Sequence, residues 1–264
     1  MSNSLLWAAR VPLREGESLT SWITRLAYEN AALPEDVRRA ARIATKVNID
    51  SSLYRADIRD KESCKLDTFF ESRTGIAQSA LRATLPSVVP GLGRFCRSKM
   101  LMLREGKEAY TRYCPDCLKQ SGYLRLRWRL AFSSVCPTHR CQLSDICELC
   151  RSPVYTNALI NPKVCPTCEG DLTQISMRPR TLVSDPAFYD FVDVFVHAAT
   201  QGNSEGRLRK IRKDVGLYLY RGKFTGYIFN HASERLRLNY DALSRTGAIT
   251  VALHWLFTLY GGTT

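Results

Sequence analysis

Four pairs of potential metal ligands at one common spacing occupy the middle of the chain. Two residues separate the ligands of each pair, so a single tight turn can direct both side chains at a tetrahedral zinc ion. In chain order the pairs form two sets of four, namely Cys114, Cys117, Cys136 and His139, followed by Cys147, Cys150, Cys165 and Cys168. Sets of four leave no open coordination position, which predicts two structural zinc ions rather than a catalytic metal.

Two alternatives concern how these cysteines are used. A cross-braced arrangement would join the first half-site to the third, whereas sequential pairing is the simpler choice. Ten cysteines in 264 residues would also suit a disulfide-linked secreted protein, but residues 1–14 lack the apolar run of a signal peptide. We therefore expect a cytoplasmic zinc protein in which three cysteines are small buried apolar residues: Cys64, Cys96 and Cys141. Cys141 lies close enough to His139 in sequence to be confused with a ligand.

The chain is strongly basic, with a formal net charge of +13. Seven thiolates and two divalent ions would lower that charge to about +10. The basic excess is spread along the whole chain, which favours association with a polyanion such as nucleic acid over a wide surface. Ordinary solvated surface charge is the alternative. Length and composition indicate a globular protein of two or three modules.

The segment before the metal ligands is predicted to be helical. Ser18 can cap a first helix whose buried face carries Leu19, Trp22, Ile23, Leu26 and Ala27. Pro34, Glu35 and Asp36 begin a second helix, and its arginines stand near one another at positions 38, 39 and 42.

A pair of shorter helices follows, at 66–73 and 76–85, separated by Thr74 and Gly75 and ended by Pro86. A glycine between two short helices is the outline of a helix-turn-helix. If this pair reads DNA, the exposed candidates are Gln78, Ser79 and Arg82.

Apolar and basic residues alternate between the first two ligand pairs. Leucine, tryptophan and phenylalanine stand at 124, 126, 128, 130 and 132, with Arg125, Arg127 and Arg129 between them. A period of two predicts a strand with one buried face and one basic face. We expect Trp128 in the core and the three arginines to be available to a phosphate backbone or an acidic partner.

The last third is also predicted to be mostly helical. Leu208, Ile211 and Val215 form an apolar stripe on a helix that otherwise carries Arg207, Arg209, Lys210, Arg212 and Lys213. This basic patch is the densest in the chain and a candidate contact for nucleic acid or a partner. The apolar run 248–260 is too short to span a membrane, so a buried or partner-docking helix is expected there.

The run from Tyr113 to Cys150 resembles the signature region of the TniQ family of transposon target-selection proteins. It contains Cys-Pro-x-Cys, then Tyr and Trp-Arg before Cys-Pro-x-His, a spaced Leu143, and the next Cys-x-x-Cys. The stretch GESLTSWITRLAYENA, residues 16–31, is similar to the helix that opens these proteins. The resemblance covers about residues 10–175, and it departs from the family at Arg151, where a glycine often follows the ligand turn.

This resemblance implies a non-enzymatic adaptor without chemistry of its own. Family members recognise a target, either DNA or an RNA-guided CRISPR effector, and recruit an AAA+ transposition regulator. A zinc-dependent, sequence-specific transcription regulator is the alternative from charge and helices alone, and a catalytic zinc enzyme is disfavoured by the closed ligand sets. A homodimer stays open, and no membrane association is expected.

The sequence thus predicts a mainly α fold with small zinc-binding α+β modules. We expect an N-terminal helical domain with a helix-turn-helix-like pair at 1–112, two tandem zinc modules at 113–175, and a C-terminal helical segment at 176–264.

Overall fold

The computed structural model describes residues 7–47, 64–84, 104–105, 108–130, 133–156, 158–174 and 185–201, together with positions 250, 253, 254 and 257. Its architecture is helix-rich with two small sheets, which confirms the predicted fold class. The expected basic helix around Arg207–Lys213 lies outside the described residues, as do Cys96 and Pro86.

Helix α1, Leu19–Glu29, forms at the position that the sequence predicts. The Ser18 hydroxyl caps it by accepting the N–H of Ser21 at 3.1 Å, which satisfies one of the free amides of the first turn. All five residues predicted for the apolar face are buried. The indole of Trp22 also donates to the Val11 carbonyl at 2.8 Å, so the extended segment before the helix is held against its buried side.

The structure describes three further helices in the N-terminal part: α2, Pro34–Thr45; α3, Cys64–Thr74; and α4, Gln78–Ala83. The predicted helix pair is therefore present, and Gly75 between its members has φ +74°, a left-handed conformation that glycine adopts without strain. The rings of Trp7, Trp22, Phe69 and Phe70 meet edge to face in the core that joins α1 to α3.

In the described residues of the metal-binding part, the regular elements besides a 3₁₀ turn are short strands and one α-helix. In chain order they are β1, Arg104–Glu105; β2, Glu108–Thr111; α5, Pro115–Ser121; β3, Val135–Cys136; β4, Cys141–Gln142; and β5, Val154–Tyr155. One antiparallel sheet has the order β1-β2-β5, and β3 pairs with β4 as a separate hairpin. Strand β2 precedes the expected domain boundary at 112/113 and pairs across it.

The strand predicted for residues 124–132 is wrong. Leu126–Arg129 is a 3₁₀ helix, in which the N–H of Trp128 donates to the Arg125 carbonyl at 3.0 Å. Burial still follows the predicted alternation at Leu124, Leu126, Trp128 and Leu130. Arg129 is buried as well, at 1% exposure, because residues three apart eclipse one another in a 3₁₀ helix and Arg129 therefore shares the buried side of Leu126.

Helix α6, Pro186–Gln201, packs against β3. Its Phe188 ring lies 5.5 Å from the ring of His254, and Thr250 and Leu253 are buried. At the described positions, the segment 248–260 thus has the character of a buried helix. Among the described residues, no helix combines the length and apolar character that crossing a bilayer requires.

Candidate metal centres

The first set of ligands meets between helix α5 and the β3–β4 hairpin. Cys114 is the N-cap of α5, Pro115 occupies the first helical position, where its missing N–H is tolerated, and Cys117 lies in the first turn. Cys136 ends β3, and His139 lies in the turn that leads to β4. One helix start and one hairpin turn therefore bring the two half-sites together.

Distances within this set fit a zinc ion. Nδ1 of His139 lies 3.4 Å from the Cys114 sulfur, 3.2 Å from the Cys117 sulfur and 3.6 Å from the Cys136 sulfur. The sulfurs of Cys117 and Cys136 are 3.5 Å apart. Tetrahedral zinc, with bonds of about 2.3 Å to sulfur and 2.0 Å to nitrogen, separates ligand atoms by about 3.5–3.8 Å. The donors are thus close to the arrangement that the ion requires.

The four ligands of the second set meet between two loops. The sulfurs of Cys147 and Cys168 are 3.8 Å apart, and those of Cys150 and Cys165 are 3.7 Å apart. All ligand atoms of each set lie within 4.8 Å of one another, so each set could hold one zinc ion. The donors group sequentially rather than cross-braced. Among the nine cysteines that the structure describes, none forms a disulfide.

Backbone N–H groups donate to two of the ligand sulfurs. The N–H of His139 donates to the Cys136 sulfur and the N–H of Thr167 to the Cys165 sulfur, both at 3.4 Å. The hydrogen bond between Cys117 and Cys114 lowers the pKa of the Cys114 thiol to about 7 and raises the pKa of the Cys117 thiol, because one sulfur donates to the other. Donors directed at a ligand sulfur stabilise its negative charge and fix its orientation.

Three of the ligand turns end in a left-handed residue. Arg140, Arg151 and Glu169 directly follow a second ligand, and their φ angles are +47°, +62° and +60°. The N–H of Arg151 donates to the Cys147 carbonyl at 2.9 Å, which closes the turn around the ligand pair. Arg151 therefore keeps the turn in which a glycine was expected, at the steric cost of a side chain in this conformation.

The N-terminal helical part is joined by backbone hydrogen bonds to the segment around the first ligand set, which we call the first metal-binding part. The N–H of Ser18 donates to the Leu124 carbonyl at 3.1 Å, and the N–H of Leu126 donates to the Gly16 carbonyl at 2.8 Å. The N–H of Leu124 in turn donates to the Ser21 hydroxyl at 2.9 Å. The cap of α1 and the start of the 3₁₀ helix are therefore one hydrogen-bonded unit.

A buried ion pair stabilises this junction. The carboxylate of Glu17 accepts both Nε and Nη2 of Arg25, at 2.8 and 2.6 Å, and the Ser21 hydroxyl at 3.0 Å. The Glu17 side chain is fully enclosed, so its charge depends on these donors. Sequence reasoning did not identify Glu17, Ser21 or Arg25. The one signal in the sequence was a glutamate directly before a helix cap.

Three arginines were expected on one exposed basic face, but their surroundings differ. Arg125 is half-buried, with its guanidinium 5.9 Å from the centre of the Trp128 ring. Arg127 forms a 2.6 Å ion pair with Asp193 of α6. Arg129 is enclosed beside Thr20, and its guanidinium lies 3.5 Å from the Thr20 hydroxyl. The expected exposed position of Arg129 is therefore wrong, because the 3₁₀ helix turns it inward.

The candidates on the helix pair contact carboxylates of the same pair. Gln78 donates to Glu71 at 2.6 Å, and Arg82 lies 3.4 Å from Asp67. Ser79 is exposed. Of the cysteines expected to be buried and outside the ligand sets, Cys64 is exposed, whereas Cys141 is buried as predicted.

Comparison with known proteins gives one family. The family model described as TniQ matches residues 8–143, just over half of the 264 residues. The match begins before α1 and ends beyond β4, so it contains the helical part, the junction and the first ligand set. No curated protein matches the chain.

Proposed function

This chain belongs to the TniQ family, whose members take part in target selection for transposition, and we propose that it is a non-enzymatic adaptor. It links a target-recognition assembly, either DNA or an RNA-guided CRISPR effector, to an AAA+ transposition regulator. In this role the two zinc ions are structural and the protein acts in the cytoplasm. Its task is to hold two partners in one fixed geometry.

The observation that supports this proposal is the junction between α1 and the first metal-binding part. An adaptor raises the effective concentration of one partner near the other, and the gain disappears when the linkage cannot hold both at once. The Glu17 ion pair and the backbone bonds from Gly16 and Ser18 to the 3₁₀ helix form a stiff linkage of this kind. The family match spans both sides of it.

Charge pairing also favours protein partners over independent DNA reading. Arg38 pairs with Glu35 at 2.6 Å, Arg82 lies near Asp67, and Arg127 pairs with Asp193. Basic groups that already face carboxylates contribute less to phosphate binding. We propose Arg125, with the basic segment Arg207, Arg209, Lys210, Arg212 and Lys213, as a supplementary surface for nucleic acid or a partner. Arg127 contributes less to this surface because it already pairs with Asp193.

The direct test is capture of the AAA+ regulator encoded in the same transposon. Zinc-loaded protein should retain the purified regulator after nuclease treatment, and the target-recognition assembly should enter the same complex. Loss of the complex on nuclease treatment would show that DNA, rather than direct protein binding, bridges the partners. A chain stripped of zinc, which loses the folded ligand modules, is the negative control.

The alternative is a zinc-dependent, sequence-specific transcription regulator, which the α3–Gly75–α4 pair with its exposed Ser79 favours. Duplex binding measured by fluorescence anisotropy distinguishes the two functions. The adaptor should bind a random duplex with a Kd in the micromolar range or weaker, typical of non-specific association. Nanomolar, sequence-selective binding without capture of the regulator would establish the alternative instead.

The proposed basic surface has its own test. Arg125→Ala should reduce the salt dependence of duplex binding by up to about one unit, the contribution of one neutralised phosphate. Arg39→Ala is the matched control, since Arg39 is an exposed arginine of α2 outside this surface. An unchanged slope in Arg125→Ala would show that Arg125 is ordinary solvated surface charge.

A further inference from the structure

A fifth sulfur lies beside the first ligand set. Cys141, in β4, pairs directly with Cys136 of β3 across the hairpin. Its sulfur lies 3.8 Å from the sulfur of Cys114, and the residue is 6% exposed. In tetrahedral zinc sites, two thiolates bound to one ion are about 3.8 Å apart. The sulfurs of Cys141 and Cys114 are therefore as far apart as two ligands of one zinc ion would be, although Cys141 is not one of the four donors.

His139 is the most exposed donor of that set. The three cysteines are buried, whereas His139 is half-exposed, and its Nε2 lies 3.2 Å from the side-chain nitrogen of Gln120 near the surface. It also lies in the β3–β4 turn, next to the left-handed Arg140. Cys141, by contrast, lies in a paired strand. The donor that is easiest to displace and a buried replacement sulfur thus occupy the same hairpin.

We propose that Cys141 is a reserve ligand of the first zinc site, which takes the fourth coordination position when His139 leaves it. The zinc–nitrogen bond breaks, a zinc–sulfur bond forms, and the Cys141 thiol releases its proton to solvent. The exchange needs no oxidant or reductant and adds one negative charge to the site. It lets the imidazole of His139 leave without release of the ion.

Cobalt substitution tests the exchange, because thiolate-to-cobalt charge-transfer absorption grows with the number of bound thiolates. The wild-type chain, with seven thiolates among its eight donors, should bind two Co²⁺ ions. His139→Ala should still bind two, with charge-transfer absorption higher by about one seventh. His139→Ala/Cys141→Ser should bind the ion of the first set more weakly than His139→Ala does, with absorption no higher than that of the wild type, because three thiolates and a water remain there.

Three outcomes would overturn the proposal. The first is loss of an ion from His139→Ala, and the second is retention of both ions by His139→Ala with unchanged absorption. The third is a wild-type chain that already shows eight bound thiolates. A wild-type chain that binds no Co²⁺ would instead refute zinc binding itself. The intact second set serves as an internal reference for folding in each variant.

A measurement on the wild-type background covers the case in which His139→Ala does not fold. Zinc release to an excess of a chromogenic chelator should be several-fold faster for one ion of Cys141→Ser, because no thiol remains to retain the ion when His139 dissociates. Cys64→Ser, which removes an exposed cysteine of α3, should release zinc at the wild-type rate. Equal release rates for Cys141→Ser and Cys64→Ser would refute the reserve role.

Discussion

Ser21→Ala should weaken the junction between the helical part and the first metal-binding part. The Ser21 hydroxyl accepts the buried N–H of Leu124 and donates to the enclosed carboxylate of Glu17. The substitution removes both bonds and leaves no polar side-chain atom in their place. Because Ser18 still caps the helix through the Ser21 backbone N–H, α1 itself should persist.

The magnitude follows from the two groups left behind. A buried N–H without an acceptor costs about 1–3 kcal/mol. The Glu17 carboxylate keeps Arg25 but loses one donor, which adds about 1 kcal/mol. The free energy of unfolding should therefore fall by about 2–4 kcal/mol, equivalent to a Tm lower by roughly 5–15 °C for a chain of this size.

Unfolding of the zinc-loaded chain in guanidinium chloride measures the loss of stability, and hydrogen exchange at the Leu124 amide measures the loss of its hydrogen bond. Thr24→Val is the matched control: Thr24 is equally buried in α1, but its hydroxyl donates only within the helix, to the Thr20 carbonyl. It should cost about 1 kcal/mol or less. Equal losses of stability in the two variants, or unchanged exchange at Leu124, would refute the assignment of Ser21 to the junction.

Three further outcomes follow from the metal sites and the C-terminal helices. Elemental analysis should find two zinc ions per chain. Cys117→Ser or Cys150→Ser should each remove about one ion and unfold its module, since metal binding in small zinc domains is worth on the order of 10 kcal/mol. A chain without zinc and with all thiols paired would contradict zinc binding. Arg151→Gly should raise the free energy of unfolding by about 0.5–1 kcal/mol in thermal melts, because it removes left-handed strain that exceeds the entropy cost of glycine, whereas Arg151→Ala should bring no gain. Burial lowers the pKa of His254 in the folded chain, against the opposing effect of Asp185. The buried neutral imidazole therefore makes its full contribution to stability above the unfolded pKa of about 6.5, and this contribution is lost as the pH falls towards the folded pKa. Melts at pH 5 and 7.5 should show this difference, and His254→Gln should reduce it.

Features that depend on near neighbours could be predicted from the chain alone. Each ligand pair needs one turn of four residues, so the spacing of Cys114 and Cys117, or of Cys165 and Cys168, is enough to predict a half-site. The cap at Ser18 and the apolar face of α1 are equally local. The sequence pattern predicts helix in the last third of the chain without giving the bounds of α6, although its apolar residues recur at helical spacing.

Packing between distant segments set the remaining features. Whether residues 126–129 form a strand or a 3₁₀ helix could not be read from alternation, because both place Leu126 and Trp128 inward. Arg129 is buried against α1, more than a hundred residues earlier in the chain. The position of Cys141 beside Cys114 likewise depends on the packing of the β3–β4 hairpin against α5. Such contacts form only when distant segments meet, and no local spacing encodes them.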